Sequence, residues 1–384
     1  MLRVLIYSLL LIVGMGLSQL PTAPGLSQLI STLTMIFLAY IMTQVGMEFD
    51  IDKSRLHQYA VDYLVAMGAA AIPWLFAAGY FWWVLDVEVN EALLVGRFAA
   101  PTSAGILFTM LVAAGLSATW VYRKARLLAI FDDLDTILLM IPLKMLLIGL
   151  VPKLLVLAVV ILGLLAAAYF CIHWLRVPTR NAWVAVYAIT VWASAYAFDY
   201  LTELHLEVLL PAFALGCIIK SDHLHGSAEF SPEGPAPTPP EPSWERNLDR
   251  GIKGGFMLLA GMALPPVQLS SMGWGAITLH VLWITILSNL GKCFPVTAYR
   301  REASMRQRLA LSLGMFPRGE VGIGVLLVSL DLFRQKGVLH MQGIQESIAL
   351  AGLSLALNLA LTGLFILGVI RLLEPQISKK YKLC

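Results

Sequence analysis

The sequence predicts an all-α polytopic membrane protein, with about 12 transmembrane helices forming inverted repeats in which two interrupted helices cross. Three observations carry this. Hydrophobic residues make up 59% of the 384-residue chain and charged residues only 13%, well outside the balance of soluble domains. Apolar stretches of roughly 20 residues recur along the whole chain without period-2 alternation, which favours a helical bundle over a barrel. Two of those stretches, GRFAAPTSAGILF and LGMFPRGEVGIGV, place Pro and Gly where a continuous helix would be weakened.

The elements follow in order. Segment 1–20 opens with MLRVLIYSLLLIVGMG, a basic residue before an apolar core. That pattern also reads as a signal peptide, but the charge count below works with the segment retained. Segments 26–48 and 58–86 follow, 91–117 holds the first interruption, and 126–150 starts at Arg126 and carries three acids and Lys144 in an otherwise apolar run. Segments 152–175, 181–200 and 203–220 precede a polar stretch, 221–249, whose SPEGPAPTPPEPSWERN prevents regular structure and reads as a cytoplasmic linker between two halves. Segments 250–270, 273–297, 306–331 (the second interruption) and 345–371 complete the set, and a tail follows from 373 to 384.

Basic loops stay on the cytoplasmic side. With the N-terminus inside, 20 of the 27 Lys and Arg fall on that side. Lys153, Arg334 and Lys336 fall opposite, and Arg97, Lys144, Lys292 and Arg318 lie within segments. Both termini are therefore expected in the cytoplasm, and the chain in the inner (plasma) membrane. The net charge of +3 is a topology signal and argues for no nucleic-acid partner. Cys171, Cys217, Cys293 and Cys384 stand singly, without the spacing of a zinc site or a disulfide framework. His223 and His225 titrate near neutral pH and would suit a pH sensor; as linker residues they equally read as plain solvated histidines. There is no nucleotide-binding loop, so a primary pump is disfavoured.

The stretch AIFDDLDTILLMIPL sets Asp132, Asp133 and Asp135 in an apolar run. A charge deep in a bilayer costs several kcal/mol unless it faces water, pairs or is protonated, so such acids default to a functional site. Counted from Arg126 at the inner interface, Asp133 lies about 10 Å deep at 1.5 Å per residue. Asp132 and Asp133 point about 100° apart, while Asp132 and Asp135 share a face. Lys292, eight residues before Arg300 on an antiparallel segment, reaches a similar depth and can pair with an aspartate. A plain structural ion pair would explain that much, but it leaves carboxylates over for a cation or proton. The two interruptions admit ordinary kinks as an explanation when taken singly. Taken together they place unwound backbone and helix ends at a binding site, with segments 3–5 and 10–12 as the inverted repeats.

APTSAG, the DD pair, the lysine of GKCFP and PRGEVG, in this order, resemble the monovalent cation/proton antiporters. The resemblance is to the bacterial branch of sodium/proton antiporters and glutathione-gated potassium efflux systems. HLEVLLPAFALGCII, 205–219, resembles that branch's dimer-forming panel. The resemblance implies Asp133 as the main cation and proton carrier, Asp132 as the partner of Lys292, and Thr102 and Ser103 as oxygens completing the coordination shell, with Asp133 and Thr102 holding the cation. It implies Arg318 and Glu320 as charge compensation. It also implies a dimerising panel (1–50 and 181–272), a moving core (58–150 and 273–372), a connecting helix (151–180) and a homodimer in the lipid bilayer. The transported species would be Na⁺, or Li⁺ or K⁺, against H⁺, with no cofactor and no enzymatic reaction. Two features depart from the pattern: Asp135, an additional candidate carboxylate, and Lys144, which reads as snorkelling to the outer interface.

The physics is competition of a proton and a cation for one carboxylate. DD with a lysine resembles the sodium branch; the potassium branch usually shows QD. A sodium-coupled symporter and a channel stay open as alternatives. An intramembrane aspartyl protease would use two membrane acids, but beside Asp199 in AYAFDY the GxGD partner is missing.

Overall fold

Proline, glycine and charge decide where the helices of this chain stop. We describe them from a computed structural model that defines residues 2–20, 24–47, 56–103, 107–108, 111–112, 115–116, 119–139, 142–143, 152–171, 174–202, 208–219, 242–266, 273–338 and 341–381. Lys144, His223, His225 and Cys384 lie outside them.

The helices are α1 (Leu2–Leu17), α2 (Pro24–Met47), α3 (Leu56–Val84), α4 (Val89–Gly96, continued by a 3-10 turn Arg97–Ala99), α5 (Trp120–Leu138), α6 (Pro152–Phe170), α7 (Asn181–Thr202), α8 (Leu209–Ile218), α9 (Ser243–Ala263), α10 (Trp274–Gly291), α11 (Phe294–Ala298), α12 (Met305–Gly314), α13 (Glu320–Lys336) and α14 (Gln342–Tyr381). Among the described residues, five stretches are long and apolar enough to cross a membrane: Gly25–Met47, Ala60–Val84, Asn181–Leu201, Trp274–Ala298 and Gly343–Leu373.

Four expected boundaries move. α5 begins at Trp120, so Arg123, Lys124 and Arg126 are on the helix and the depth counted from Arg126 starts inside it. α9 begins at Ser243 rather than 250, because the prolines of the linker end at Pro242 and nothing after them opposes a helix. Segment 273–297 is not one helix: α10 ends at Gly291 with Lys292 as its C-cap, and Pro295, lacking an N–H, opens the short α11. α14 runs on to Tyr381; apolar character fades before helix does.

Both expected interruptions are present. The fourth segment leaves helix after Ala99 and is irregular over 100–103; the eleventh is irregular over 315–319, between α12 and α13. α12 starts in a capping box of Ser304 and Gln307. α13 carries Glu320 in its first turn and Arg334 and Lys336 in its last, as the helix dipole favours, and stops at left-handed Gly337 (φ 69°).

The chain divides into two compact units. The first comprises Met1–Thr22, Ser54–Leu139 and Ala260–Cys384; the second Ala23–Lys53 and Met140–Leu259. In the first, α1 ties to α14 through Ser8 Oγ, which donates to Ala356 O at 2.8 Å. α3 packs closely on α10, since a Cβ on Gly291 would meet Pro73 N at 2.5 Å. In the second, α2 and α8 touch backbone to backbone at Gly46 and Gly216. Gln44 Nε2 there donates to Asn181 Oδ1 (3.3 Å) and Asp249 Oδ1 (3.0 Å).

Candidate functional site

The two irregular stretches of the first unit meet. Ser103 N donates to Pro317 O at 2.9 Å, a backbone bond between the two breaks. Freed from helical pairing, the carbonyls at the breaks need other donors, and charged side chains supply them. Lys292 donates to Ala100 O, and Arg318 Nε to Ala99 O at 2.9 Å.

Lys292 also forms the pair anticipated from the sequence. Its Nζ bonds Asp132 Oδ2, with both side chains fully buried. The same oxygen accepts from Thr102 Oγ1 at 2.7 Å, and Thr136 Oγ1 donates to Asp132 O at 2.7 Å. Asp132 Oδ1 is buried and has no hydrogen-bond partner among the described residues. Asp133, the next residue of α5, is fully buried as well. Asp135 is buried (5% exposed); the Tyr63 hydroxyl of α3 hydrogen-bonds it, and the Tyr63 ring stands edge-on to Phe131 at 5.4 Å.

Ser103 Oγ donates to Glu320 Oε2 at 3.2 Å, across the crossing. Arg318 is fully buried at 1% exposure, and its bonds go to oxygens of amide groups: Ala99 O, Asn289 Oδ1 (2.7 Å) and Ser288 O (2.8 Å). Asn358 completes the knot, its Oδ1 accepting from Arg318 N (2.9 Å) and its Nδ2 donating to Asn289 Oδ1 (2.9 Å). Arg318 and Asn358 together thus tie the fourth segment, α10 and α14 at the break that precedes α13.

Asp132, Lys292, Thr102, Ser103, Arg318 and Glu320 are brought to one place, and Asp133 and Asp135 lie beside Asp132 on α5. Sequence reasoning missed Tyr63, Asn289 and Asn358. Asn358 had a readable signal, an amide in the otherwise apolar LALNLAL, because a polar group in a membrane helix needs a partner. Asn289 stands three residues before Lys292 in SNLGKCF, on the same helical face. Tyr63 carried no signal, since tyrosines are common in membrane helices.

The chain matches the family model described as sodium/hydrogen exchanger, transmembrane, over residues 1–366. It belongs to that family. It is accordingly a multi-pass membrane transporter that exchanges cations for protons, and not an enzyme. No curated protein matches it by sequence. In fold it is similar to the sodium proton antiporter MjNhaP1 of Methanocaldococcus jannaschii at pH 8, at a TM-score of 0.64 and 15% identity over 95% of this chain and 92% of that one. The structure of that antiporter from an electron microscopy map gives a TM-score of 0.56 and 15% identity, covering 86% and 83%.

Proposed function

We propose that this exchanger carries Na⁺ against H⁺ by alternating access and moves net charge in doing so. The observation that carries the reading is the buried Asp132–Lys292 pair beside a second buried carboxylate, Asp133, at a point where two helices are unwound. Asp133 carries the cation or the proton. Thr102 and Ser103, whose hydroxyls already lie against Asp132 and Glu320, add neutral oxygens, and Asp135 is an additional carboxylate of the site. Arg318 and Glu320 compensate charge at the crossing. A cation that draws Asp132 away from Lys292 gives the lysine reason to release its proton.

In this cycle segments 3–5 and 10–12 move, while segments 1, 2 and 7–9 form a dimerising panel and the sixth connects them. The protein works as a homodimer in the plasma membrane with both termini in the cytoplasm. The alternative is potassium/proton exchange of the efflux type.

The test is dissipation of a pH gradient in proteoliposomes, scanning Li⁺, Na⁺, K⁺ and Rb⁺. Proton movement driven by Na⁺ and Li⁺ supports the reading. Response to K⁺ and Rb⁺ alone replaces it with potassium exchange, and cation flux that moves no protons points to a channel or a symporter.

A further inference from the structure

A second charged cluster lies in the same unit, away from the aspartates. Lys124, on α5 eight residues before Asp132, bonds Asp62 Oδ1 of α3 at 2.6 Å and Glu302 Oε2 at 3.1 Å. Tyr299 Oη donates to the same Asp62 oxygen at 2.6 Å. The ammonium stands 4.7 Å over the Tyr299 ring, and Trp120 of α5 packs edge-on to that ring at 5.6 Å. Asp62 is 8% exposed, Lys124 19% and Glu302 45%, so the inner half of the bridge is shielded from solvent and from salt. Burial, first, and then the Asp62 carboxylate push the Tyr299 hydroxyl up from the ordinary phenol range, so it remains a donor at neutral pH.

The elements joined here are the ones that matter at the site. Lys124 belongs to the helix that carries Asp132. Tyr299 and Glu302 follow Lys292 through the five-residue α11 (Phe294–Ala298). α5 and the end of α10 are therefore tied twice: by Asp132–Lys292, which the exchange reading opens in every cycle, and by Lys124 with its partners.

Resting on that reading, we propose that the Asp62–Lys124–Glu302 bridge with Tyr299 is a positioning clamp. It keeps α5 in register with Lys292 while the Asp132–Lys292 pair is open, so that the cation meets a formed site. Lys124 touches neither cation nor proton carrier and acts through Asp132 and Lys292. Without it the open site loses geometry, and apparent cation affinity falls before maximal rate does.

The test uses the full chain in proteoliposomes, with half-maximal Na⁺ concentration and maximal rate measured separately, and thermal unfolding as a second readout. Lys124→Met raises the half-maximal concentration by about threefold or more with a smaller change in maximal rate. Lys124→Arg, which keeps the charge, recovers part of that, and Tyr299→Phe, which keeps the ring and removes one bond, shifts it in the same direction by less. In a Lys292→Gln background, where one tie is already lost, Lys124→Met lowers the unfolding temperature by more than the sum of the single effects. An unchanged half-maximal concentration, or single effects that simply add, overturns the clamp. Wild-type vesicles in which no cation moves protons overturn the exchange reading instead.

Discussion

Asp133→Asn is expected to abolish cation-dependent proton flux while leaving the fold in place, because the amide is near-isosteric but cannot carry the charge. Flux like that of wild type in the variant removes Asp133 from the mechanism. The carboxylate of the neighbouring Asp132 accepts from Lys292 and Thr102. Two adjacent acids on one helix point about 100° apart. Arg318 has another task at this scale. It spends its guanidinium on Ala99 O, Asn289 and Ser288, and Arg318→Gln strands those acceptors in a dry interior. Each buried acceptor left without a donor costs about 1–3 kcal/mol. The unfolding temperature in detergent should fall by more than about 3 °C, and an unchanged temperature would refute the structural role.

Which elements were legible follows from what each residue type does to a helix. Pro101 and Pro317 were readable as breaks because proline denies the backbone a donor, and both breaks are where the sequence puts them. A pair between Lys292 and one of the α5 aspartates was readable because each charge alone is too costly in a membrane, while the choice of Asp132 came with the family resemblance. The start of α5 was not, because Arg123, Lys124 and Arg126 are good helix formers that look like a loop only to a hydropathy count. Nor was the close approach of α2 and α8, which depends on two glycines far apart in the chain. A Cβ on Gly216 would lie 2.3 Å from Thr43 O and 2.8 Å from Gly46 Cα, and backbone atoms cannot swing aside as a side chain can. Gly216→Ala should cost about 1–3 kcal/mol as overpacking does, read as a lower unfolding temperature. Gly163→Ala on α6, with nothing within 4 Å, is the control; equal behaviour of the two variants would show that the helices tolerate separation.

For the whole transporter the proposed charge-moving cycle predicts a response to voltage. Two protons leave for each monovalent cation only if Lys292 gives up its own when Asp132 is drawn away. Its other bond goes to a neutral carbonyl, Ala100 O, which does not balance a charge in a fully buried place. One cation exchanged for two protons moves one net charge per cycle, and at 100 mV that charge is worth roughly 2.3 kcal/mol. Transport driven by a sodium gradient, with the potential clamped at several values by potassium and valinomycin, should therefore change rate with potential in wild type. Lys292→Gln keeps a polar side chain but has no proton to release. It should still exchange, with much of the voltage dependence gone. A wild-type rate indifferent to potential, under conditions where leak is small, would make the cycle one-for-one. The lysine would then stay charged throughout, and Asp135, buried against Tyr63, would be the acid to suspect of holding a proton.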